Sequence, residues 1–339
     1  MGDSWRPAVC GYSHVLRLKK KIMKIVSHYD INSKLSILDV EKSHILRQTP
    51  LFRLPGAAFG VKCAEVWLKL EHLQAGGSFK ARGMLCRLLS HPIPACGVIV
   101  ASGGNAGIAT ALVARALGVP CEVFVPTVSP QAKQDKLRAL GATVVVTGAA
   151  YADALQACLL RQQSTGALLT HAYDQAEVVA GAGTLAHEIE VQGGVPDSVL
   201  VSVGGGGLIA GIAAWFEQRC RVVALESVLT PTLFAARQAG QPVDVAVGGI
   251  TADSLGAKRI GDIAWEVTRQ HVKDALLLPE DSIRAAQKWL WTELRLAVEP
   301  AAALGLAALQ TGLYVPRSDE KVCLILCGAN FDPGTVTSN

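Results

Sequence analysis

From about Ser36 onward, short apolar runs alternate with segments whose apolar residues recur every three or four positions. Runs bounded by glycine or proline predict buried strands, and the longer period predicts amphipathic helices. The predicted strands are 65–70, 97–100, 121–125, 142–146, 198–203, 221–226 and 322–326. The predicted helices are 105–117, 131–140, 208–218, 283–296 and 301–310. This alternation predicts an α/β fold of two layers, with mainly parallel sheets, right-handed crossovers and a ligand cleft between the layers.

The composition excludes several classes of protein. Of the 339 residues, 50% are hydrophobic and 18% are charged, which excludes an intrinsically disordered chain. The formal net charge is +4, and no basic patch is interleaved with aromatic residues, so we expect no nucleic-acid partner. The nine cysteines form no C-x-x-C pair and indicate reduced thiols in a cytoplasmic protein.

Two segments resemble targeting or membrane sequences. Residues 198–216 are nineteen positions without a charge, but they contain the tetraglycine 204–207, which a regular helix accommodates only at a large entropic cost. We therefore expect a strand, a glycine turn and a short helix there, and no membrane association. Residues 1–34 are basic but lack the apolar stretch of a secretory signal, so we expect a basic N-terminal extension. A transit peptide and a true start at Met23 are the alternatives.

The tetraglycine lies between a predicted strand and a predicted helix. Without Cβ atoms, its backbone N–H groups can close around an anion at the positive end of the helix, which favours phosphate binding over a plain tight turn. Gly205, Gly207 and Ala210 also satisfy the G-x-G-x-x-A dinucleotide pattern, with Glu226 at the end of the next strand. A nicotinamide enzyme is therefore a rival interpretation. A nucleoside-triphosphate loop is excluded, because no Gly-Lys-Ser/Thr follows the glycines.

A lysine with unusual neighbours follows the strand predicted at 65–70. Lys80 comes after a glycine pair and Phe79, at the start of a helical segment. Most lysines are solvated surface charges. A lysine held in a cleft at such a junction can instead be desolvated, lose its proton and form a Schiff base with an aldehyde.

The segment 76–83, Gly-Gly-Ser-Phe-Lys-Ala-Arg-Gly, resembles the lysine motif of fold-type II pyridoxal-phosphate enzymes. This group contains serine and threonine dehydratases, serine racemase and cysteine synthase. The resemblance extends from about Thr49 to Asn330, with four motifs in the family order: the lysine, an asparagine loop at 102–107, the glycine loop, and a late residue before Gly-x-Asn. The nicotinamide interpretation explains only the glycines.

The resemblance implies a fold like that of the tryptophan synthase β chain, with pyridoxal 5'-phosphate in the interdomain cleft. It divides the chain into a large cofactor-binding domain, residues 35–84 and 171–339, and a small domain, residues 85–170, that carries the asparagine loop. Lys80 would be the Schiff-base lysine and the base that removes the substrate Cα proton. The implied cofactor-binding residues are Phe79, Lys80, Asn105, Gly204, Gly205, Gly206, Gly207 and Cys327. The implied substrate-binding residues are Ser102, Gly103, Gly104, Asn105 and Ala106.

Two of these assignments have plainer alternatives. Asn105 would bond the cofactor 3′-oxygen, and it is also a good residue for the N-cap of the following helix. Cys327 would face the pyridine nitrogen, although a buried cysteine is usually a small hydrophobic residue. A thiol there cannot keep the ring nitrogen protonated as an aspartate would, which suits rapid elimination over a long-lived carbanion.

Within the family, the asparagine loop and the segments 254–258 and 298–301 look most like the animal-type L-serine/L-threonine dehydratases. The carbonyls of Leu255 and Ala257, with Glu226 and Thr230, match the region where those enzymes hold a monovalent cation such as potassium. Oxygen ligands suit such a cation. A turn beside a surface carboxylate is the alternative.

The resemblance therefore implies a pyridoxal-phosphate-dependent ammonia-lyase. It would convert L-serine to pyruvate, or L-threonine to 2-oxobutanoate, with release of ammonia. The first alternative is serine racemase or another amino-acid racemase on the same scaffold, and the second is a β-replacing synthase of the cysteine-synthase type. A cofactor-free binding protein is disfavoured by the intact lysine motif. We expect a homodimer in the cytoplasm, acting on a small amino acid.

Overall fold

The computed structural model describes residues 45–337, so the basic extension predicted for residues 1–34 lies outside the described residues. The strands are β1 (Leu51–Pro55), β2 (Glu65–Lys69), β3 (Val98–Ala101), β4 (Cys121–Val125), β5 (Thr143–Val146), β6 (Leu168–Thr170), β7 (Ser198–Ser202), β8 (Arg221–Ser227), β9 (Val272–Leu278) and β10 (Lys321–Ile325). The helices are α1 (Lys80–Leu89), α2 (Asn105–Ala116), α3 (Gln131–Ala139), α4 (Tyr151–Thr165), α5 (Ala176–Gly193), α6 (Gly207–Phe216), α7 (Thr232–Ala239), α8 (Ala252–Leu255), α9 (Asp262–His271), α10 (Glu280–Leu294), α11 (Pro300–Gln310) and α12 (Gly334–Thr337). The strands form two separate sheets flanked by helices, which confirms the predicted fold class.

The larger sheet has six strands in the order β1-β2-β10-β7-β8-β9. Its strand pairs are parallel except that β1 runs antiparallel to β2. β10 lies in the middle, with Val322 paired to Val66 on one side and to Ser198 on the other. β7 is fully buried and reads as a nearly continuous apolar run, as expected for a strand covered by helices on both faces.

The smaller sheet has four parallel strands in the order β5-β4-β3-β6. Successive side chains of β3 point to opposite faces, as in any strand. Val98 and Val100 pack with residues of α2, whereas Ile99 and Ala101 pack with Ala154 and other residues on the side of α4. This sheet is therefore also covered on both faces, and each face has its own core.

The predicted elements are all present, with ends that differ by at most three residues. The uncharged segment 198–216 is β7, the glycine loop and α6, as predicted. Within residues 45–337, no helix has both the length and the apolar character needed to cross a bilayer. The sequence analysis missed the strands β1, β6 and β9, the helices α4, α5, α7 and α9, and several shorter elements.

Helix α5 was missed because it has no clear stripe of large hydrophobic residues. Its contact faces carry small residues, which let the neighbouring helices pack closely against it. A Cβ atom on Gly181 of α5 would lie 2.4 Å from the Arg82 carbonyl oxygen of α1, and one on Gly211 of α6 would lie 2.5 Å from the Val179 carbonyl oxygen of α5. Backbones that approach this closely require glycine on the contact face. Small residues on that face blur the 3.6-residue periodicity by which a helix is predicted.

A buried group of four charges lies beneath the start of α1. The guanidinium of Arg82 bonds to Glu71 and to Glu188, each at 2.7 Å, and the ammonium of Lys69 bonds to Glu188 at 2.7 Å. The carboxylates raise the pKa of Arg82 although burial opposes this, and Arg82 and Lys69 lower the pKa of Glu188 against the effect of its burial. The positive charges of Lys69 and Arg82 thus balance the negative charges of Glu71 and Glu188, next to the start of the helix that carries Lys80.

Replacing Arg82 by methionine should lower the free energy of unfolding by about 3–5 kcal/mol, because Glu71 then loses its buried ion-pair partner and Glu188 keeps only that of Lys69. Arg269→Met is the matched control, since Arg269 pairs with Glu266 on the exposed surface of α9, where such pairs contribute about 0–1 kcal/mol. Urea denaturation measures both variants. Equal losses would contradict a structural role for the buried charges.

Candidate active site

The predicted site residues follow the carboxyl ends of strands in both sheets. Ser102 comes directly after β3, Gly204 follows β7, and Cys327 follows β10. Ligands of parallel α/β sheets bind at these ends, where the loops that connect strands to helices meet. The topology therefore places the asparagine loop, the glycine loop and the late cysteine at one cleft.

Lys80 is the first residue of α1 and is half-buried. Its Nζ donates to the carbonyl oxygen of Ala172 at 2.6 Å and lies 5.1 Å from the ring centre of Phe79. Burial lowers the pKa of Lys80 to about 8, although Cys327 and Glu299 act to raise it. The neutral, nucleophilic amine is therefore far more abundant near neutral pH than it is for an exposed lysine.

The lysine motif is joined to the chain that follows β10. Phe79 donates its backbone N–H to the Cys327 carbonyl at 3.1 Å, and Ser78 forms an antiparallel bridge with Gly328. The hydroxyl of Ser78 is buried without a hydrogen-bond partner among the described residues. Lys80 and Cys327, which are far apart in sequence, are thus fixed side by side.

The segment that holds the Lys80 amine also packs on the glycine loop. Nδ1 of His171 accepts the backbone N–H of Asp174 at 3.0 Å, which folds the chain around Ala172. The ring of Tyr173 covers Gly205, where a Cβ atom would lie 2.3 Å from the ring. One short segment therefore contacts both the amine and the loop predicted to bind phosphate.

The glycine loop requires glycine for both conformation and contact. Gly206 has φ +86°, a left-handed conformation that other residues adopt only with strain, and a Cβ atom there would lie 2.5 Å from Ala264. A Cβ atom on Gly204 would lie 2.9 Å from the Cα atom of Leu255. The loop ends where α6 begins at Gly207, so the N–H groups of the first helical turn are available to an anion.

The side chain of Asn105 does not cap its helix. Gly104 occupies the N-cap position, and Asn105 is the first residue of α2. Its Nδ2 donates to Oε2 and Oε1 of Glu299 at 3.1 and 3.2 Å, and its Oδ1 accepts from Asn330 at 2.6 Å. Asn105 therefore links the smaller sheet to two residues that belong with the larger sheet.

The remaining loop residues surround the start of α2. Ser102, Gly103 and Gly104 are half-buried, and Ala106 is buried. A Cβ atom on Gly107 would lie 1.8 Å from the Ser102 carbonyl oxygen, so the loop folds tightly against its own helix. The backbone N–H groups of this turn lie at the positive end of α2, as an anionic substrate carboxylate would require.

Glu299 is the buried acid of the cleft. It precedes Pro300, the first residue of α11, and its Oε1 accepts a weak hydrogen bond from Sγ of Cys327 at 3.9 Å. Burial raises the pKa of Glu299, and Asn105 and Ser254 oppose this by hydrogen bonding. Burial also raises the pKa of Cys327 well above its ordinary value, with Glu299 adding to the effect. The cysteine is thus a neutral thiol.

A cavity of about 620 Å³ opens between the layers. It is lined by Gly103, Gly104, Asn105, Ser254, Glu299 and Asn330 among others. Lys80 and Cys327 do not line it, but Cys327 adjoins it through its hydrogen bond to Glu299. The volume is in the range of small-molecule sites.

None of the predicted cation ligands lines the cavity. Glu226 is buried and accepts the backbone N–H groups of Leu233 and Phe234 at 2.7 and 2.8 Å, so it caps α7. Burial raises its pKa to about 7, and these bonds oppose the rise. Thr230 bonds to the hydroxyl of Thr251. Leu255 ends α8 beside Gly204, and Ala257 is half-buried two residues later.

Sequence reasoning gave no role to Glu299, Asn330 or Tyr173. Glu299 and Asn330 lie within motifs that the sequence analysis described. An acid directly before Pro300 in an apolar segment could have indicated a buried carboxylate. Tyr173 carried no such signal, because its importance depends on the contact with Gly205.

The sequence model of the family described as "Pyridoxal-phosphate dependent enzyme" matches residues 42–328, which is most of the chain. This chain belongs to that family. It is 37% identical to the L-threonine ammonia-lyase of Geobacter sulfurreducens over 279 residues, which cover 80% of this chain and 69% of the relative. The structure of maize serine racemase superposes with a TM-score of 0.81 at 26% identity and covers 96% of both chains. A threonine deaminase from T.th. gives a TM-score of 0.79 at 30% identity, over 94% of this chain and 98% of that one.

The residues of this family member fit pyridoxal phosphate. The loop at the start of α6 has room for glycine alone at each of its four positions, and the N–H groups of the helix that follows suit a phosphate. Lys80 offers an amine of lowered pKa, and Cys327 offers a neutral thiol. The hydroxyl of Ser78, which has no hydrogen-bond partner within residues 45–337, is a further polar group beside them. When bound, the cofactor supplies an electron sink for negative charge at the substrate Cα.

In the cofactor-free protein, acylation of Lys80 should increase with pH around a midpoint of about 8, because burial lowers its pKa and only the neutral amine reacts. Glu299→Gln should lower this midpoint further, since the Glu299 carboxylate raises the pKa of Lys80. Peptide mass mapping as a function of pH measures it, with the exposed Lys62 as the reference. Identical profiles for Lys80 and Lys62 would contradict the effect of burial.

Proposed function

We propose that this protein is a pyridoxal-phosphate-dependent ammonia-lyase that acts on L-serine or L-threonine. The observation that carries the proposal is the Lys80 amine, held at the cleft beside the neutral thiol of Cys327. The likeness to L-threonine ammonia-lyase and threonine deaminase supports elimination. L-Serine would give pyruvate and ammonia, and L-threonine would give 2-oxobutanoate and ammonia.

In this proposal, each part of the site handles one group of the substrate. The loop from Ser102 to Ala106 binds the carboxylate at the positive end of α2. Asn105 and the glycine loop bind the cofactor. Lys80 accepts the Cα proton, the β-carbon loses its hydroxyl as water, and the enamine that is released takes up water to give the keto acid and ammonia.

A serine or amino-acid racemase is the second candidate, supported by the likeness to maize serine racemase. Racemisation requires a second acid opposite Lys80, to deliver a proton to the other face of Cα. By the family resemblance, a serine hydroxyl would occupy the position of Gly103 in the racemases. Glycine carries no proton, so we favour elimination. The β-replacing synthase has no feature in this site that favours it.

Several finer statements belong to the same proposal. The domain division at residues 35–84 with 171–339 and at 85–170 is consistent with two sheets whose strands fall in those ranges. A potassium-type cation beside Gly204 would be held by Glu226, Thr230, Leu255 and Ala257. The cysteines that the structure describes are thiols rather than disulfides, which supports a cytoplasmic location. The homodimer rests on the family resemblance.

Lys80→Ala should lower the rate of pyruvate formation from L-serine by at least about 10³-fold, because the amine is both the tether and the base. A coupled assay for keto acids measures the rate, and Lys62→Ala is the control on an exposed lysine. Borohydride treatment followed by peptide mapping should place the cofactor label on Lys80. A label on another residue, or full activity in the variant, would overturn the proposal.

Gly103→Ser should increase D-serine formation relative to pyruvate, because the new hydroxyl can carry a proton. A Cβ atom there lies 3.1 Å from Oγ of Ser129 and 3.3 Å from Val125, so the side chain fits after a small adjustment. Gly103→Ala adds the same Cβ without the hydroxyl and is the matched control. Chiral chromatography measures both products. Comparable D-serine and pyruvate from the unaltered protein would favour the racemase.

A further inference from the structure

Asn330 ends the Gly-x-Asn sequence after Cys327, and its side-chain amide joins three parts of the site. Its Nδ2 donates to the Gly76 carbonyl at 2.8 Å and to Oδ1 of Asn105 at 2.6 Å. Its Oδ1 accepts from Nζ of Lys136 on α3 at 2.7 Å. One amide thus connects the loop before Lys80, the asparagine loop and a helix of the smaller sheet.

The chemistry of these partners fixes the orientation of two amides. The ammonium of Lys136 can only donate, and the carbonyl of Gly76 can only accept. Asn330 must therefore turn its oxygen to Lys136 and its NH₂ group to Gly76. The second hydrogen of that group then requires the oxygen of Asn105, which directs the NH₂ group of Asn105 to Glu299.

Glu299 alone does not impose this orientation in both of its protonation states. As a carboxylate it only accepts and imposes the same orientation; burial raises the pKa of Glu299 and so favours the protonated form, which donates as well as accepts. The terminal torsion of asparagine has only broad, roughly two-fold preferences, so the side chain turns over with little resistance. Either end of the Asn105 amide can bond to the protonated form of Glu299, whereas the bond from Asn330 selects the same end whichever form Glu299 takes.

We propose that Asn330, held by Lys136, is a positioning residue that keeps Nδ2 of Asn105 directed into the cleft as a hydrogen-bond donor. The inference rests on the proposed function, in which Asn105 binds the 3′-oxygen of the cofactor. A reversed Asn105 would present an acceptor to that acceptor oxygen. The fold alone does not require this orientation, since both orientations fill the same volume.

A competing explanation is that Lys136 merely ties the two layers together. Lys133 provides the comparison, because it lies one turn earlier on α3 and forms an ion pair with Asp253 across the same cleft. Lys133 also crosses between the layers but does not contact Asn330. Lys133→Met therefore removes a cross-cleft contact and leaves the orientation of the amides unaltered.

The first measurement uses the full-length, cofactor-free protein. Nuclear Overhauser contacts from the side-chain NH₂ group of Asn105, assigned by its loss in Asn105→Ala, report which residue that group faces. In the unaltered protein and in Lys133→Met, the contacts should be to Glu299. In Asn330→Asp, the new carboxylate accepts from Lys136 but cannot donate, so the NH₂ group should turn toward position 330. Lys136→Met should give a mixture of both orientations.

The second measurement is a double-mutant cycle on the dissociation constant of pyridoxal phosphate, read from its absorbance. Asn330→Asp should weaken binding by about tenfold in the unaltered background, the loss of one hydrogen bond to a charged or polar ligand. In the Asn105→Ala background it should cause no further loss, because the effect is transmitted through Asn105. A purely structural role would give additive losses. Thermal denaturation of each cofactor-free variant verifies the fold.

Unchanged Asn105 contacts in Asn330→Asp, additive losses in the cycle, or equal effects of Lys133→Met and Lys136→Met would each overturn the inference. The failure of the proposed function has a different signature. In that case the unaltered protein would not bind pyridoxal phosphate, and the contacts of the Asn105 amide in the cofactor-free protein would still decide the role of Asn330.

Discussion

The ion pairs of Arg82 with Glu71 and Glu188 fix the position of Lys80, and the chemistry of the cleft depends on that position. Arg82 lies two residues after Lys80 on α1. That helix packs against α5, on the side of the larger sheet, and against α2, on the side of the smaller one. Since both layers hold α1, neither can shift far without moving the lysine. The buried charges thus hold the start of α1, and with it the Lys80 amine, at a defined position between the two layers.

Burial drives the three titratable groups at the cleft toward their neutral forms. It lowers the pKa of Lys80 and raises those of Glu299 and Cys327. The anionic groups of a ligand would then meet the helix N-termini of α2 and α6. These backbone dipoles act beside the charged side chains that line the cavity, among them Lys133, Lys136 and Asp253. A phosphate and a carboxylate are therefore received by groups that need little rearrangement.

The sequence predicted the layers and the loops because strand, turn and helix signals are local. Gly204–Gly207 could be identified by composition alone, and the motif order placed Lys80, Asn105 and Cys327 in one cleft. The bonds of Asn105 to Glu299 and Asn330 could not be predicted, because they join residues about 200 positions apart. Helix α5 was missed for a related reason: its small residues are required by close contact with neighbouring helices, which the periodicity of its own sequence does not show.

The central place of β10 in the larger sheet has a consequence for the order of folding. β10 pairs with β2, whose register partner Glu65 stands opposite Lys321, and with β7 on its other side. It is the last strand of the described chain, so during synthesis the sheet stays divided into two parts with apolar edges until β10 emerges. The smaller sheet is built from one continuous stretch and can close earlier. Long-range pairing of this kind slows folding and leaves unpaired strand edges open to association with other chains in the meantime.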